Sequence, residues 1–209
     1  MTSAERQYGG RALAERVAER HRRFVAAAIR MFAERGYANC TLAELCTAAG
    51  LSKRQFYEVF DTREEVLVAA YDHIQDAAAA AVVTAAAGLG PELDLEESVT
   101  VLLTAYLDSV GSDPCRAKVA FVEVVGVSDA MERHRRDRRH AWATVFGSVL
   151  TAVAGPEAKT RGSLVLATSA LNGAVNGIAH EWILADPRPP VAELVDVLGP
   201  VITALIVRN

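Results

Sequence analysis

A short run of hydrogen-bonding side chains is the most chemically informative feature of this sequence. Ser52 is followed by Lys53, Arg54 and Gln55, and Tyr57 comes two residues later. Cationic Lys and Arg side chains can donate to guanine O6 and N7, and the carboxamide of Gln can pair with adenine. A tyrosine hydroxyl can bind a phosphate. These side chains suit contact with nucleic acid, and the alternative interpretation is a solvated polar surface.

Three helix-start signals surround this run. Each is a capping box, in which a Ser or Thr hydroxyl caps a helix and a side chain three residues later reaches back. The pairs are Thr41 with Glu44, Ser52 with Gln55, and Thr62 with Glu65. Gly50 ends the first helix, because glycine readily adopts the left-handed conformation there. The pattern predicts a helix, a tight turn, a short helix to about Phe60, and then a long helix from Arg63.

The segment of residues 41–67, TLAELCTAAGLSKRQFYEVFDTREEVL, resembles the DNA-binding signature of the TetR (tetracycline-repressor) family. The matching positions are Thr41, Leu45, Ala49, Gly50, Leu51, Ser52, Phe56, Tyr57, Phe60, Arg63, Glu64 and Leu67. The preceding FVAAAIRMFAERGYANCT is similar to the first helix of that family. Two residues depart from the pattern. Cys46 stands where Ala is usual, and Val59 stands where a phosphate-contacting His or Tyr is frequent.

The resemblance implies a helix-turn-helix domain whose second helix lies in the major groove, with its first residues against base edges. The helix-turn-helix context therefore favours DNA contact over a merely solvated surface. Thr41 and Arg63 lie at or beside helix N-termini, whose free N–H groups also attract phosphate. The predicted DNA-binding residues are Thr41, Ser52, Lys53, Arg54, Gln55, Tyr57 and Arg63.

Composition and charge agree with a helical protein that has a DNA-reading head. Of the 209 residues 51% are hydrophobic and only 6% aromatic, and the abundant alanine is the best helix former. The net charge is -4, but residues 1–71 hold 11 Lys and Arg against 9 Asp and Glu, whereas the remainder holds 11 against 17. A mildly basic head on an acidic body fits a DNA-binding domain carried by a body that does not touch DNA.

The helical pattern extends along the whole chain. It predicts a first helix over about Ala12–Arg35, and five later helices over about 95–111, 114–126, 129–154, 157–185 and 190–207. No stretch alternates with period two over more than a few residues, so no sheet is expected. The predicted fold is all-α. An N-terminal three-helix helix-turn-helix domain, residues 12–70, is joined by a long fourth helix to a larger ligand-binding and dimerisation domain, residues 71–209.

The second domain carries a polar stripe on an otherwise apolar helix, formed by Ser169, Asn172, Asn176 and His180. Buried amide and imidazole groups need hydrogen-bond partners, so the stripe faces a ligand cavity, a partner subunit or solvent. The predicted ligand-binding residues are Tyr106, Phe121, Trp142, Phe146, Asn172, Asn176 and His180. Gly173 and Gly177 lie one turn apart and would allow a second helix to approach closely. Together with the last helix they suggest the four-helix dimer interface that the resemblance implies.

Other kinds of site find little support in the sequence. The Arg-rich run from Glu132 to His140 is interpreted as a solvated, partly self-paired helix face. Hydrolase, nucleotide-binding and metalloprotease motifs are missing, so no enzyme, metal or cofactor is expected. The three cysteines contain no C-x-x-C pair, and neither disulfides nor a zinc site is expected. The polar N-terminus and the interrupted apolar stretches indicate a cytoplasmic protein without a membrane span.

Three function classes follow from these observations. The leading one is a ligand-responsive transcriptional regulator, a repressor by expectation, that binds a palindromic operator in double-stranded DNA as a homodimer. Its effector would be a small molecule of unknown identity. The second is a helical ligand-binding protein with a vestigial DNA head. The third is a DNA-binding regulator whose body docks a protein partner instead of a small molecule.

Overall fold

The computed structural model describes residues 3–90, 92–155 and 157–207, with side chains from residue 13 onward. Within these ranges the chain is almost entirely helical, which confirms the all-α prediction. It divides into two compact units, Met1–His73 and Ile74–Asn209. One continuous helix crosses the division, because it begins in the first unit and ends in the second.

The first unit contains three helices, a short 3₁₀ turn and the start of a fourth helix. These elements are α1 (Ser3–Arg35), the 3₁₀ turn (Tyr37–Asn39), α2 (Leu42–Ala49), α3 (Lys53–Phe56) and the first part of α4 (Arg63–Ala87). Helix α1 starts nine residues before the predicted Ala12, because Ala, Glu, Arg and Gln between positions 4 and 11 favour a helix that continues through two glycines. Helix α3 is shorter than predicted, although a turn continues from its end to Phe60.

An aromatic cluster forms the core of the first unit. Phe24 of α1 and Phe56 of α3 have no exposed surface, and their rings meet edge to face at 5.2 Å. Phe60 packs against both rings, at 6.2 Å and 5.8 Å. Edge-to-face contacts add a directional preference to the burial of apolar surface. The three rings therefore fix the position of the short helix α3, which is too short to be stable alone.

The second unit is built from the rest of α4 and five further helices among its described residues. They are α5 (Leu95–Gly111), α6 (Pro114–Lys118), α7 (Asp129–Ala154), α8 (Leu164–Leu184) and α9 (Val191–Leu205), and α6 continues as a π-helical turn over Val119–Glu123. The predicted bounds of α5 and α7 agree with the structure. The main packing pairs are α5 with α9 and α7 with α8.

The prediction that the chain lacks a sheet is wrong in one small region. Strand β1 (Lys159–Thr160) pairs antiparallel with β2 (Ile206–Val207). The amide of Arg161 also donates to the carbonyl of Leu205 at 2.8 Å, and the guanidinium of Arg161 binds the carbonyl of Ala204 at 2.7 Å. This extended segment explains why α8 begins at Leu164 instead of 157 and why α9 ends at Leu205 instead of 207.

Helix α4 is long and apolar enough to cross a membrane by the measures of length and composition alone. The sequence analysis had not singled it out, because its hydropathy comes largely from the alanine run 77–81. Its first turn carries Arg63, Glu64 and Glu65, and 44% of its most apolar window is buried within the protein. The same composition and partial burial are found in core helices of proteins that never enter a membrane.

Candidate DNA-binding and effector sites

Thr41 opens α2 as predicted, with both halves of a capping box present. The amide of Glu44 donates to the Thr41 hydroxyl at 3.3 Å, and the Thr41 amide donates to the Glu44 carboxylate at 2.9 Å. These hydrogen bonds from the Thr41 backbone and side chain lower the pKa of Glu44. Thr41 is exposed at the helix start, where a phosphate can be received, but Glu44 already occupies its hydroxyl.

The second capping box fixes the start of α3 and engages one of the predicted base-reading side chains. The amide of Gln55 donates to the Ser52 hydroxyl at 3.2 Å, and the Ser52 amide donates to Gln55 Oε1 at 2.9 Å. Gln55 is therefore half-buried and held against the helix start. A bidentate contact with adenine uses the oxygen of the carboxamide as well as its nitrogen. Gln55 would have to leave the cap to make that contact.

Arg54 and Tyr57 are exposed, whereas Gln55 is half-buried. The Arg54 side chain is 91% exposed, and its nearest anion is Glu58 at 3.7 Å. Glu58 also forms an ion pair with Arg20 of α1. Tyr57 is 59% exposed, with its ring edge to face against Phe56 at 5.4 Å. Arg54 therefore extends into solvent, whereas the exposed ring of Tyr57 also packs against the core residue Phe56.

Lys53 and Ser52 are exposed beside Arg54, so the first turn of α3 presents two cationic side chains together. Arg63 lies at the start of α4, half-buried, with its guanidinium 4.4 Å from the centre of the Tyr37 ring. This cation–π contact restricts the movement of the guanidinium without pairing it with a negative charge. Tyr37 was not among the predicted site residues, although its place directly after the first helix could have suggested a supporting role.

The third capping box differs from the prediction in one partner. The Glu65 amide donates to the Thr62 hydroxyl at 3.1 Å, as expected. The Glu65 carboxylate accepts from the amide of Asp61 at 2.7 Å instead of the amide of Thr62. The Glu65 carboxylate therefore links α4 to Asp61, one residue before the predicted Thr62, in the turn that follows α3.

Arg23 of α1 supports the turn between α2 and α3 and was missed by the sequence analysis. Its guanidinium donates to the carbonyl of Ala49 at 2.7 Å and to that of Gly50 at 3.1 Å. Gly50 has φ +62°, and a Cβ there would approach the guanidinium to 2.7 Å. The turn therefore depends on a residue 26 positions earlier in the chain, a relation that local sequence patterns do not reveal.

The second unit contains an apolar cavity. It comprises about 830 Å³ of space, part of it open solvent. Residues of α4, α5, α7, α8, α9 and β2 form its wall, and none of them is charged. Among the described residues no group of His, Cys, Asp and Glu has the arrangement of a metal site. The cavity therefore suits the uncharged, apolar part of an organic molecule.

The comparison with protein families decides the identity of the first unit. The family model described as "Bacterial regulatory proteins, tetR family" matches residues 24–70, which span the helix-turn-helix and the start of α4. Residues 24–70 therefore belong to the TetR family of bacterial regulatory proteins. The fold of the chain is shared with solved structures of TetR-family regulators. A search of curated proteins gave no match to the sequence.

Several solved structures share the fold of this protein at low sequence identity. The fatty acid degradation regulator FadR from Bacillus halodurans has a TM-score of 0.74 at 16% identity, covering 88% of this chain and 94% of its own. FadR from Bacillus subtilis in complex with stearoyl-CoA has a TM-score of 0.74 at 15% identity, covering 87% and 97%. AibR in complex with isovaleryl coenzyme A and operator DNA has a TM-score of 0.64 at 14% identity, covering 89% and 99%.

The cavity of the second unit is lined by some of the predicted ligand-binding residues and not by others. Tyr106, Trp142, Phe146 and Asn172 line it. Tyr106 and Trp142 meet edge to face at 5.4 Å, and the Trp142 indole donates to Gln75 at 2.8 Å. The remaining three residues, Phe121, Asn176 and His180, are not part of this wall.

Their surroundings explain the difference. Phe121 is buried in the π-helical turn that follows α6. The side-chain amide of Asn176 donates to the carbonyl of Asn172 at 2.7 Å, so one of its two N–H groups is used within α8. His180 is half-buried on the same helix. The polar stripe therefore divides, and only its Asn172 position lines the cavity.

The Arg-rich start of α7 forms ion pairs with neighbouring carboxylates. Glu132 pairs with Arg135 at 2.8 Å, three residues on. Arg138 pairs with Asp76 of α4 at 2.6 Å. A hydrogen bond from the Gly126 amide, and then the charge of Arg135, lower the pKa of Glu132 against the opposing effect of burial. The run is therefore partly self-paired, but it is not simply a solvated face, because Arg138 bonds to a neighbouring helix.

Proposed function

We propose that this TetR-family protein is a cytoplasmic, ligand-responsive repressor that binds a palindromic operator in double-stranded DNA as a homodimer. The observation that carries the proposal is the first turn of α3, where Lys53 and Arg54 are exposed on a helix start fixed by a complete capping box. Exposed cations at the start of a recognition helix can reach base edges and phosphates. Tyr57 and Arg63 flank them, each supported by an aromatic contact.

An apolar surface on α8 and α9 supports the homodimer. Leu166 and Leu184 of α8 are 67% and 61% exposed, and Val197 of α9 is 57% exposed. At Gly173 an added Cβ would meet no atom within 4 Å, so the helix surface there is open to a partner helix. Exposed apolar side chains on two neighbouring helices favour association. A second copy of the same face provides a self-complementary partner about a twofold axis.

The cavity supports a small-molecule effector with an apolar chain. Its wall lacks charged side chains, and burying an unpaired charge there would be very unfavourable. Stearoyl-CoA and isovaleryl coenzyme A are bound by two regulators of the same fold. We infer that the effector belongs to the same broad class, an acyl thioester or a similar chain whose charged groups stay outside the cavity.

Helix α4 offers a route by which the effector changes DNA affinity. The helix begins at Arg63, a predicted DNA contact, and contributes Val82 to the cavity wall. These residues are 19 positions apart, or about 28 Å along a helix that rises 1.5 Å per residue. The effector acts only if it binds the DNA-incompetent state more tightly. A coupling of about 1–3 kcal/mol, roughly five- to 150-fold in operator affinity, is usual for such regulation.

The proposal is tested by selecting bound sequences from a random double-stranded DNA library with the full chain. An inverted repeat should emerge, and affinity for it should fall steeply with salt, because cationic side chains displace counterions from phosphates. Acyl-CoA esters of increasing chain length should then release the DNA. Failure to select any sequence contradicts the DNA-binding function and favours the vestigial head. Selective DNA binding that no acyl-CoA relieves contradicts the proposed effector class and favours a body that docks a protein.

A further inference from the structure

One polar side chain of the cavity wall has no hydrogen-bond partner. Helix α8 presents Thr168, Leu171, Asn172 and Val175 to the cavity, at the spacing of a single helical face. Thr168 is only 2% exposed, and its hydroxyl has no hydrogen-bond partner among the residues that the structure describes. Leu171 and Val175 offer only apolar surface, so the hydrogen-bonding capacity of this face rests on Thr168 and Asn172.

The unpartnered state of Thr168 is unusual for a helical threonine. A threonine hydroxyl in a helix commonly donates to the carbonyl four residues earlier. Thr47 does so with Ala43 at 3.0 Å, and Thr151 does so with Gly147 at 3.0 Å. Both of those threonines are exposed, where water could have served instead. Thr168 is buried and still lacks this hydrogen bond, although an unpartnered buried hydroxyl is unfavourable.

Asn172 is held by the helix backbone, whereas the Thr168 hydroxyl is not. One N–H of the Asn172 Nδ2 group donates to the carbonyl of Thr168 at 2.9 Å, which fixes the orientation of the amide and leaves its second N–H and its Oδ1 for other partners. The Thr168 hydroxyl can rotate between two side-chain rotamers that are both accessible in a helix. A ligand oxygen beside it would therefore receive a hydrogen bond that the protein itself does not supply.

We propose that Thr168 recognises one uncharged oxygen on an otherwise apolar effector, such as the carbonyl of a ketone, ester or thioester. This assignment rests on the proposed function, in which the second unit binds a small molecule. The absence of charged side chains from the wall excludes a buried carboxylate or phosphate as the group beside Thr168. The hydroxyl donates, the ligand oxygen accepts, and the rest of the chain contacts apolar side chains.

The test compares two probes of nearly the same shape, octan-2-one and 2-methyloct-1-ene, in which a methylene group replaces the carbonyl oxygen. Binding to the full chain is followed by tryptophan fluorescence, to which Trp142 of the cavity wall and Trp182 contribute. Thr168→Val keeps the shape of the side chain and removes the hydroxyl. It should weaken octan-2-one binding about tenfold, the loss of a hydrogen bond of about 1.4 kcal/mol. Binding of 2-methyloct-1-ene should stay within about twofold.

Thr203→Val is the matched control. Thr203 of α9 also has a buried hydroxyl without a partner, but it does not line the cavity. This variant should bind octan-2-one like the wild type. Both variants should melt no lower than the wild type, because each loses an unpartnered polar group. A Thr168→Val variant that melts lower would show that the hydroxyl has a partner in the free protein, which overturns the assignment.

Two other outcomes overturn the proposal. In one, Thr168→Val weakens both probes equally, which assigns the residue a packing role only. In the other, wild-type protein binds neither probe at its solubility limit, which excludes this ligand class. The fluorescence titration requires no DNA. If the protein binds no operator, the proposed DNA-binding function is contradicted, but the fluorescence titration still tests the role of Thr168.

Discussion

Arg54 and Gln55 share a predicted role in reading bases, but the structure anchors them differently. Arg54 is 91% exposed and its only ion pair, with Glu58, spans 3.7 Å in solvent. Such an exposed pair contributes about 0–0.5 kcal/mol to stability. We therefore expect Arg54→Ala to leave the free energy of unfolding within about 0.5 kcal/mol of the wild type. Its affinity for the selected operator should fall by about 1–3 kcal/mol, or roughly five- to 150-fold, through loss of a base contact.

Gln55→Ala should affect stability as well as DNA binding. It removes the acceptor for the Ser52 amide at 2.9 Å, one half of the capping box. That amide is near solvent and water replaces the lost acceptor in part, so the cost should be about 0.5–1 kcal/mol. Gln55→Glu keeps a side-chain oxygen that can accept from the Ser52 amide, but it lacks the N–H donors of the carboxamide. It should be as stable as the wild type and bind the operator more weakly.

Urea denaturation and competition binding, measured on the same preparations, separate the two effects. The competition uses the selected operator against variants with one base pair changed. Arg54→Ala should relax the preference at one or two base positions while its urea midpoint is unchanged. If Arg54→Ala keeps wild-type selectivity at every position, α3 does not dock with its first turn against the bases. If Gln55→Ala is as stable as the wild type, the capping hydrogen bond has no energetic weight.

Three further predictions concern other parts of the molecule. Arg63→Ala should weaken specific and non-specific DNA alike and reduce the salt slope of binding by about 1, whereas Tyr37→Leu should weaken both less, because only the support of the guanidinium is lost. An unchanged slope for Arg63→Ala would remove that residue from the DNA contacts. Gly173→Leu should give folded monomers in sedimentation, since an added Cβ meets no atom within 4 Å whereas the leucine side chain would block a partner helix, and a dimeric variant would place the interface elsewhere. Burial, and then the charge of His73, lower the pKa of His21 from its usual 6.5, so the unfolded chain takes up a proton at higher pH. Stability should fall as pH drops below about 7 toward the lowered pKa, and His21→Gln should reduce that slope in thermal melts between pH 7 and 5.

Sequence alone predicted the features that depend on residues close together in the chain. The capping boxes of α2 and α3 are local pairs three residues apart, and both are present as predicted. At α4 the same reasoning found Thr62 and Glu65, but Glu65 accepts from Asp61 because the preceding turn brings that amide closer. The pattern also gave Gln55 two roles that compete for one oxygen, a conflict that only the geometry reveals.

Contacts between residues far apart in the chain could not be predicted from local sequence patterns. The support of Gly50 by Arg23 joins two helices, and the β1–β2 pair joins residues almost fifty positions apart. Aromatic type alone grouped Phe121 with Trp142 and Phe146, yet the π-helical turn buries Phe121 away from the cavity wall. Apolar residues that face a solid core and apolar residues that line a cavity recur along a helix with the same spacing. Only the packing of the neighbouring helices distinguishes the two cases.

The small β1–β2 pair has a practical consequence for anyone attaching a reporter or purification tag. Ile206 belongs to β2 and also lines the cavity, while Arg161 holds the carbonyls of the two residues just before it. A tag fused directly behind residue 209 would begin only a few residues beyond a hydrogen-bonded part of the cavity wall. Strain from such a fusion would reach the cavity wall first, so a biosensor based on the proposed function would report an altered threshold even with the first unit untouched. A long flexible spacer at that end would avoid the artefact.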